Sequence, residues 1–398
     1  MGFQIRTLSE NDRFFVIDIG STRIKVLLCE LEDGALNILE KASIRQSRKH
    51  MFGGDISDLQ GVSEALQKAI HKIEKSQNRE VSDCIFSIQS PSLVTDTFSM
   101  NYVRERDMSP LGMEEIDSMV AKIELKSLEK AKPKILAQIM EEETQMKLIT
   151  TSLTSITIDG KKVSNPMGFT GKNISLTVCN VFIPIATFHL YSTIARNIEK
   201  KILSFVPTPI ALTKAQSDSL EIFDPNAFVD IGYSLTSITL ENYSELLGAI
   251  QIPIGSSHYE NMLVRKFPKL SRLEIEHMMQ SDPEELSKEA KKIQKDFVEL
   301  LVRSIVVALR MITSSFFLKN VYVSGGIAQT SFLAVLQAQF EAHLANPSIK
   351  IHSLIPEEAN LDPNYGVAYA LAKTTQELVR HQADPIARIL RYVIYRYE

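Results

Sequence analysis

The apolar residues of this chain recur in two rhythms. From Phe14 the sequence reads Phe-Phe-Val-Ile-Asp-Ile-Gly and then Ile-Lys-Val-Leu-Leu-Cys, which predicts two β-branched strands about a tight turn. Residues 36–44 predict a third strand. Residues 57–75 place Val62, Leu66, Ile70 and Ile73 at helical spacing, with Ser57 or Asp58 as N-cap. Residues 83–88 predict another strand. Between Pro91 and Pro207 the pattern changes. Charged helical segments (112–124 and 134–144) alternate with β-rich ones (147–158 and 173–184), and a helix over 188–202 leads back. This predicts an inserted α+β subdomain. The second half restarts at Ala227 with Phe-Val-Asp-Ile-Gly, a hairpin and a strand over 248–254. Residues 256–311 are charged and helix-rich. A strand over 320–323 runs into Ser324-Gly325-Gly326. A helix (331–342), a strand (349–354) and a long helix opened by Asn364-Tyr365-Gly366 follow. The expected segments are therefore 1–90, 91–207, 208–255, 256–311, 312–382 and 383–398.

Two stretches match at an offset of about 212 residues, a spacing of whole domains. One is Val16-Ile17-Asp18-Ile19-Gly20-Ser21-Thr22-Arg23-Ile24. The other is Phe228-Val229-Asp230-Ile231-Gly232-Tyr233-Ser234-Leu235-Thr236. A single Asp-Ile-Gly marks no more than a hairpin turn. Its recurrence in matching strand context points to phosphate binding, because a glycine hairpin lets backbone N–H groups converge on an anion. Asp18 and Asp230 are suited to orient a Mg²⁺ through water, since that ion keeps several water ligands. Lys25, seven residues after Asp18, is placed to set its ammonium on a phosphate. A third element, Val321-Tyr322-Val323-Ser324-Gly325-Gly326-Ile327-Ala328, is a strand, two glycines and a helix start, where a flat base can lie on bare backbone. In this order it resembles the adenosine element of actin-type ATPases.

Composition narrows the field. At 398 residues the chain exceeds a single core, so two or more domains are expected. A net charge of −4 gives no case for nucleic-acid binding. Cys29, Cys84 and Cys179 are sparse and form no close pair, which points to a reducing compartment and to small buried apolar roles. The eight His show no metal-ligand spacing. No signal peptide and no run of about 18 apolar residues is seen, so a cytoplasmic protein is expected, attached at most to a membrane surface.

Specific motifs carry a family resemblance. Ile158-Asp159-Gly160 followed by Asn165-Pro166-Met167-Gly168-Phe169-Thr170-Gly171 is similar to the inserted subdomain of the bacterial cell-division protein FtsA. Asp18-Ile19-Gly20-Ser21-Thr22 with Lys25, Gly53-Gly54-Asp55-Ile56-Ser57-Asp58 and Asp362-Pro363-Asn364-Tyr365-Gly366 also resemble that family. The resemblance spans most of 13–375. It implies an α/β, actin-like two-lobed ATPase fold, a duplicated ribonuclease-H-like domain with an α+β subdomain inserted in the first lobe. It implies ATP with Mg²⁺, bound by Asp18, Gly20, Ser21, Thr22, Lys25, Asp230, Gly232, Tyr233, Ser234, Thr236, Gly325, Gly326 and Ile327, with Glu276 near the ribose. It also implies filaments, a second-lobe subdomain that holds the C-terminal tail peptide of FtsZ, and a place on the cytoplasmic face of the membrane at the division septum.

The second element departs from the family pattern. Asp-Ile-Gly-Gly-Gly-Thr-Thr-Asp becomes Asp230-Ile231-Gly232-Tyr233-Ser234-Leu235-Thr236-Ser237. Two glycines are replaced by residues with a Cβ, and no carboxylate remains to polarise an attacking water. No catalytic residue is assigned, and ATP hydrolysis is expected to be weak or absent. Residues 278–301 look shortened, a feature shared with PilM, an actin-like scaffold of pilus machines. That scaffold is one alternative. A small-molecule kinase of the same superfamily is another, but it needs a catalytic acid that Tyr233, Ser234 and Ser237 do not supply.

Two surfaces remain. Asp384 and Pro385 begin a C-terminal helix on which Ile386, Ile389, Leu390, Val393, Ile394 and Tyr397 form one apolar stripe. Arg388, Arg391 and Arg396 flank it, the pattern of a helix lying on an anionic membrane; a helix docked on the protein's own core fits the same stripe. Arg265, Lys266, Lys269, Arg272 and Lys295, with Lys291 and Lys292, read either as a site for an acidic tail peptide or as a solvated face.

Overall fold

A computed structural model describes residues 13–32, 35–105, 107–139, 145–163, 165–216, 225–242, 245–281, 285–314 and 316–380. The C-terminal stripe, from Ile386 to Tyr397, and the flanking arginines lie outside the described residues, as does the polar start before Arg13.

The first lobe begins with β1 (Arg13–Ile19), β2 (Arg23–Glu32) and β3 (Ala35–Arg45). A small hairpin, β4 (Met51–Phe52) and β5 (Asp55–Ile56), leads to α1 (Leu59–Gln77) and β6 (Asp83–Ile88). The inserted unit is β7 (Val94–Val103), α2 (Met113–Ile139), β8 (Met146–Ile158), β9 (Lys161–Lys162) and β10 (Asn173–Pro184). The lobe closes with α3 (Ile185–Asn197), β11 (Lys201–Pro207) and α4 (Thr208–Lys214). The second lobe runs β12 (Asn226–Ile231), β13 (Thr236–Asn242), β14 (Glu245–Ile252), α5 (Ser256–Lys266), α6 (Arg272–Gln280), α7 (Lys288–Ile312), β15 (Asn320–Gly325), α8 (Thr330–Leu344), β16 (Lys350–Ser353) and α9 (Gly366–Arg380).

The two main sheets repeat one topology. The first has the order β11-β6-β1-β2-β3 and the second β16-β15-β12-β13-β14. In each, the first three strands are antiparallel and the last two add in parallel. Strand β1 is apolar on both faces because both faces are covered. Phe15, Ile17 and Ile19 share one core with Val62, Leu66 and Ile70 of α1. Phe14 and Val16 turn the other way, into a core shared with Phe228, Leu354, Ala368 and Leu371. Helices α4 and α9 lie between the sheets and pack on each other. Asp58 caps α1 by accepting from the N–H of Gly61 at 2.9 Å, so of the two candidate caps the second is used.

The inserted unit forms a four-stranded antiparallel sheet in the order β7-β10-β8-β9, covered by α2 through Ile116, Val120 and Ile123. Three expectations change. The helices over 112–124 and 134–144 are one helix that runs through Pro133. Burial of Ser127 and Ala131 on the sheet outweighs the local breaker. The helix over 188–202 stops at Asn197, because residues from Lys201 onward pair in parallel with β6. Strand β7 pairs with β10 although its pattern gave no distinct signal. Its hydroxyls also reach the second lobe: Thr95 Oγ1 donates to the Ala249 carbonyl at 2.5 Å and Thr97 Oγ1 to that of Leu247 at 3.1 Å. The three cysteines are buried and form no disulfide among the described residues, and burial pushes the thiols of Cys29 and Cys84 up.

Candidate functional site

Strand periodicity delivers the two aspartates. Asp18 lies on the face of β1 that carries Phe14 and Val16, and Asp230 on the face of β12 that carries Phe228. Both faces enter the core between the lobes. Where that core ends, the aspartates line one cleft. Of the residues singled out from the sequence, Asp18, Gly20, Ser21, Thr22, Lys25, Asp230, Gly232, Tyr233, Ser234, Gly325 and Gly326 line this cleft.

The site is built twice, with one difference. Asp18 accepts from Ser87 Oγ at 3.2 Å, and Asp230 accepts from Ser324 Oγ at 2.6 Å. Each serine sits on the strand added in parallel beside its aspartate, β6 in one lobe and β15 in the other. Across the antiparallel hairpin Asp18 faces Lys25, whereas Asp230 faces Ser237. Lys25 Nζ lies 3.0 Å from Asp18 Oδ2. Ser237 receives Gln89 Nε2 at 3.0 Å and Gln251 Nε2 at 3.2 Å. One carboxylate therefore has a cation beside it and the other has neutral partners. Burial raises the pKa of Asp230, aided by the charge of Asp18 and opposed by the Ser324 hydrogen bond and by the more distant charge of Lys25.

That asymmetry has a sign. A carboxyl whose folded pKa exceeds its ordinary value of 3.8 contributes stability that is complete below that value and lost as pH rises through the raised one. Asp230→Asn, which cannot ionise, is expected to raise the thermal midpoint of the ligand-free protein at neutral pH and to leave it unchanged in acid. Equal midpoints at neutral pH would count against a buried, unpaired charge.

The hairpin tips are tight. Gly20 N–H donates to the Arg23 carbonyl at 3.2 Å, and Gly232 N–H to that of Leu235 at 2.9 Å. Among the described residues nothing accepts from the N–H groups of Ser21, Thr22, Tyr233 or Ser234. The second tip is held from behind, because the carbonyls of Gly232 and Tyr233 accept from Ser256 and Ser257 at the start of α5, each at 2.9 Å. Gly326 leaves room for the Asn364 amide, whose Oδ1 would lie 2.8 Å from a Cβ there.

Three expected ligand residues lie elsewhere. Thr236 is fully buried and donates to the Ile254 carbonyl at 2.6 Å, because it opens strand β13 rather than closing the tip. Ile327 turns into the second-lobe core. Glu276 is bound by Arg45 and lies 3.7 Å from Arg48, so an ion pair across the lobes claims it. Arg265, Lys266, Lys269, Arg272 and Lys295 are all exposed, on or between helices of the second lobe. The cleft adds residues that sequence reasoning did not select: Met51, Gln89, Leu235, Ser256, Asn364 and Val367. Of these, Asn364 stood in a motif that the family resemblance already quoted.

No protein-family model matches the chain, and no curated protein matches it in sequence. Solved structures do match. A chain of the PilM–PilN type IV pilus biogenesis complex superposes with a TM-score of 0.67 at 11% identity, over 92% of this chain and 99% of that one. The diol dehydratase-reactivating factor in nucleotide-free form gives 0.54 at 9% identity, over 92% and 100%. The ethanolamine utilization protein EutJ from Carboxydothermus hydrogenoformans gives 0.53 at 13% identity, over 93% and 92%. At these identities the likeness speaks for architecture alone, and together with the duplicated sheet topology it shows that the chain has the two-lobed actin-like ATPase fold.

Proposed function

We propose that this chain is an ATP-binding scaffold that turns over little or no nucleotide. The observation that carries this reading is the pair of glycine hairpins facing one cleft with uncommitted N–H groups at both tips. Such groups form an anion nest. The amides of Ser21, Thr22, Tyr233 and Ser234 and the ammonium of Lys25 would take the phosphates. Asp18 and Asp230 would hold a hydrated Mg²⁺, and Gly325, Gly326 and Asn364 would meet the adenosine. The oxygen-donor pair fits that ion. Bound Mg²⁺ would neutralise phosphate charge. With Asp18 and Asp230 assigned to the ion, the lining of the cleft holds no third carboxylate, and Ser237 is held by two glutamines. A general base for water, or for the hydroxyl of a small substrate, is not evident there. Titration calorimetry of the full chain with ATP and Mg²⁺ tests this. Saturable binding without phosphate release is expected; absence of binding overturns it, and robust phosphotransfer to sugars or acetate restores the kinase alternative.

For its setting we favour a scaffold of a membrane-associated machine of the pilus type. The near-complete overlap with the chain from the pilus complex supports it, as does the second-lobe subdomain, in which no strand occurs between α5 and α7 among the described residues. A second reading, an FtsA-like tether that polymerises and links FtsZ tails to an anionic membrane, is supported by the 165–171 motif and the amphipathic stripe after Asp384. Liposome co-sedimentation of the full chain and a version ending at Ala383 separates the two. Equal pelleting removes the anchor.

A further inference from the structure

We propose that residues 46–50 form a latch that retains nucleotide by tying the two hairpins together across the cleft mouth. The proposal rests on the nucleotide reading above. The segment follows β3 and is anchored first to the first hairpin. Gln46 N–H donates to the Thr22 carbonyl at 2.8 Å, and its side-chain amide donates to the Gly20 carbonyl at 2.7 Å. Gln46 is itself buried. Two residues on, Arg48 crosses to the second lobe. Its guanidinium reaches both carboxylate oxygens of Glu260 on α5, at 2.7 and 2.9 Å. The same group lies 5.2 Å from the centre of the Tyr233 ring, on the second hairpin. Arg45 reinforces the crossing through Glu276 on α6. The segment thus grips two carbonyls of one phosphate hairpin and a side chain of the other, and neither Arg45 nor Arg48 lines the cleft.

The energetics favour the closed form. The Glu260 side chain is only 4% exposed. Separating the lobes breaks both hydrogen bonds of that carboxylate to Arg48 together with the ion pair, and water would have to replace them. Although burial disfavours its charge, the bond and field of Glu260 hold the Arg48 pKa above its ordinary value. A ligand between the hairpins leaves only when this contact opens, so Arg48 and Glu260 are positioning residues that act on release. An ion pair with a purely structural role would change stability and leave release unaltered.

The test follows release of a fluorescent ATP analogue with Mg²⁺ from the full chain after a chase with unlabelled ATP. Arg48→Met and Glu260→Gln are each expected to speed release about tenfold, with the double variant no faster than the faster single one, as one shared contact requires. Release within about twofold of the unaltered protein in Arg48→Met overturns the latch. Arg48 is partly exposed, so this variant decides the matter if Glu260→Gln does not fold. If the unaltered protein takes up no analogue, the nucleotide reading fails, and the latch is judged by itself. Spin labels at Lys68→Cys on α1 and Lys266→Cys on α5 then report the lobe separation, since both sites are exposed and the native cysteines are buried. A longer, broader distance in Arg48→Met supports the latch, and an unchanged one overturns it.

Discussion

Lys25→Met is expected to lower both the stability of the protein and its affinity for ATP, and a second substitution separates the two effects. Lys25 and Asp18 form an ion pair whose side chains are 15% and 4% exposed. Removing one partner from such a pair leaves the other charged and poorly solvated, at a cost of about 3 kcal/mol or more. Ser87 still donates to Asp18 but does not neutralise it. Adding Asp18→Asn removes the orphan charge, so the double variant recovers most of the lost stability in denaturant titrations. ATP affinity behaves differently. A charge-assisted contact to phosphate contributes on the order of 2–3 kcal/mol, so Lys25→Met weakens binding by on the order of 100-fold. The double variant remains weak because it restores no cation. Recovery of ATP binding in the double variant would mean that Lys25 serves Asp18 alone and that the phosphates lie elsewhere in the cleft.

The parts of this site legible in the sequence are those set by one strand and its turn. The alternation in Phe14-Phe15-Val16-Ile17-Asp18 puts Asp18 on a defined face, and the same alternation places Asp230. The repeat then requires the two to be equivalent, and the sheets agree in order and direction. What the sequence left unread depends on neighbours brought in by tertiary pairing. Ser87 and Ser324 serve their aspartates alike, yet they do not share the repeat offset, because the segments inserted before them differ in length. Strand β11 continues directly from an amphipathic helix, and only the parallel partner β6 decides where the helix stops. Thr236 looked like part of a tip but opens strand β13, whose pairing turns its hydroxyl to Ile254. Glu276 and Glu260 carry no local signal for their partners, since Arg45 and Arg48 are more than 200 residues away. Such pairs arise from the approach of the lobes, which no window of sequence contains.

The other large effect comes from Gly325. This residue ends β15 with φ of 116°, a conformation that residues with a Cβ rarely adopt. A Cβ there would overlap the carbonyl oxygen of Ile231 and crowd its Cα. Ile231 is the residue that Gly325 faces across the parallel ladder, and it directly precedes Gly232. The obstacle is backbone in the middle of a sheet, so no rotamer change relieves it. Gly325→Ala therefore combines an unfavourable φ with a steric clash, and about 3–4 kcal/mol of destabilisation is expected. Gly326→Ala is the control. Its Cβ meets only the end of the Asn364 side chain, at 2.8 Å, which can rotate away; a loss below about 1 kcal/mol is expected. Urea midpoints at unchanged slope measure both. The contrast also bears on the ligand. If the Ile231 backbone shifts to admit the new methyl, the second hairpin moves with it, and ATP binding falls in the fraction of Gly325→Ala that still folds. Equal stability of the two variants would mean that β12 and β15 are not held in this register, and the shared cleft would then lose the strand pair that forms its second wall.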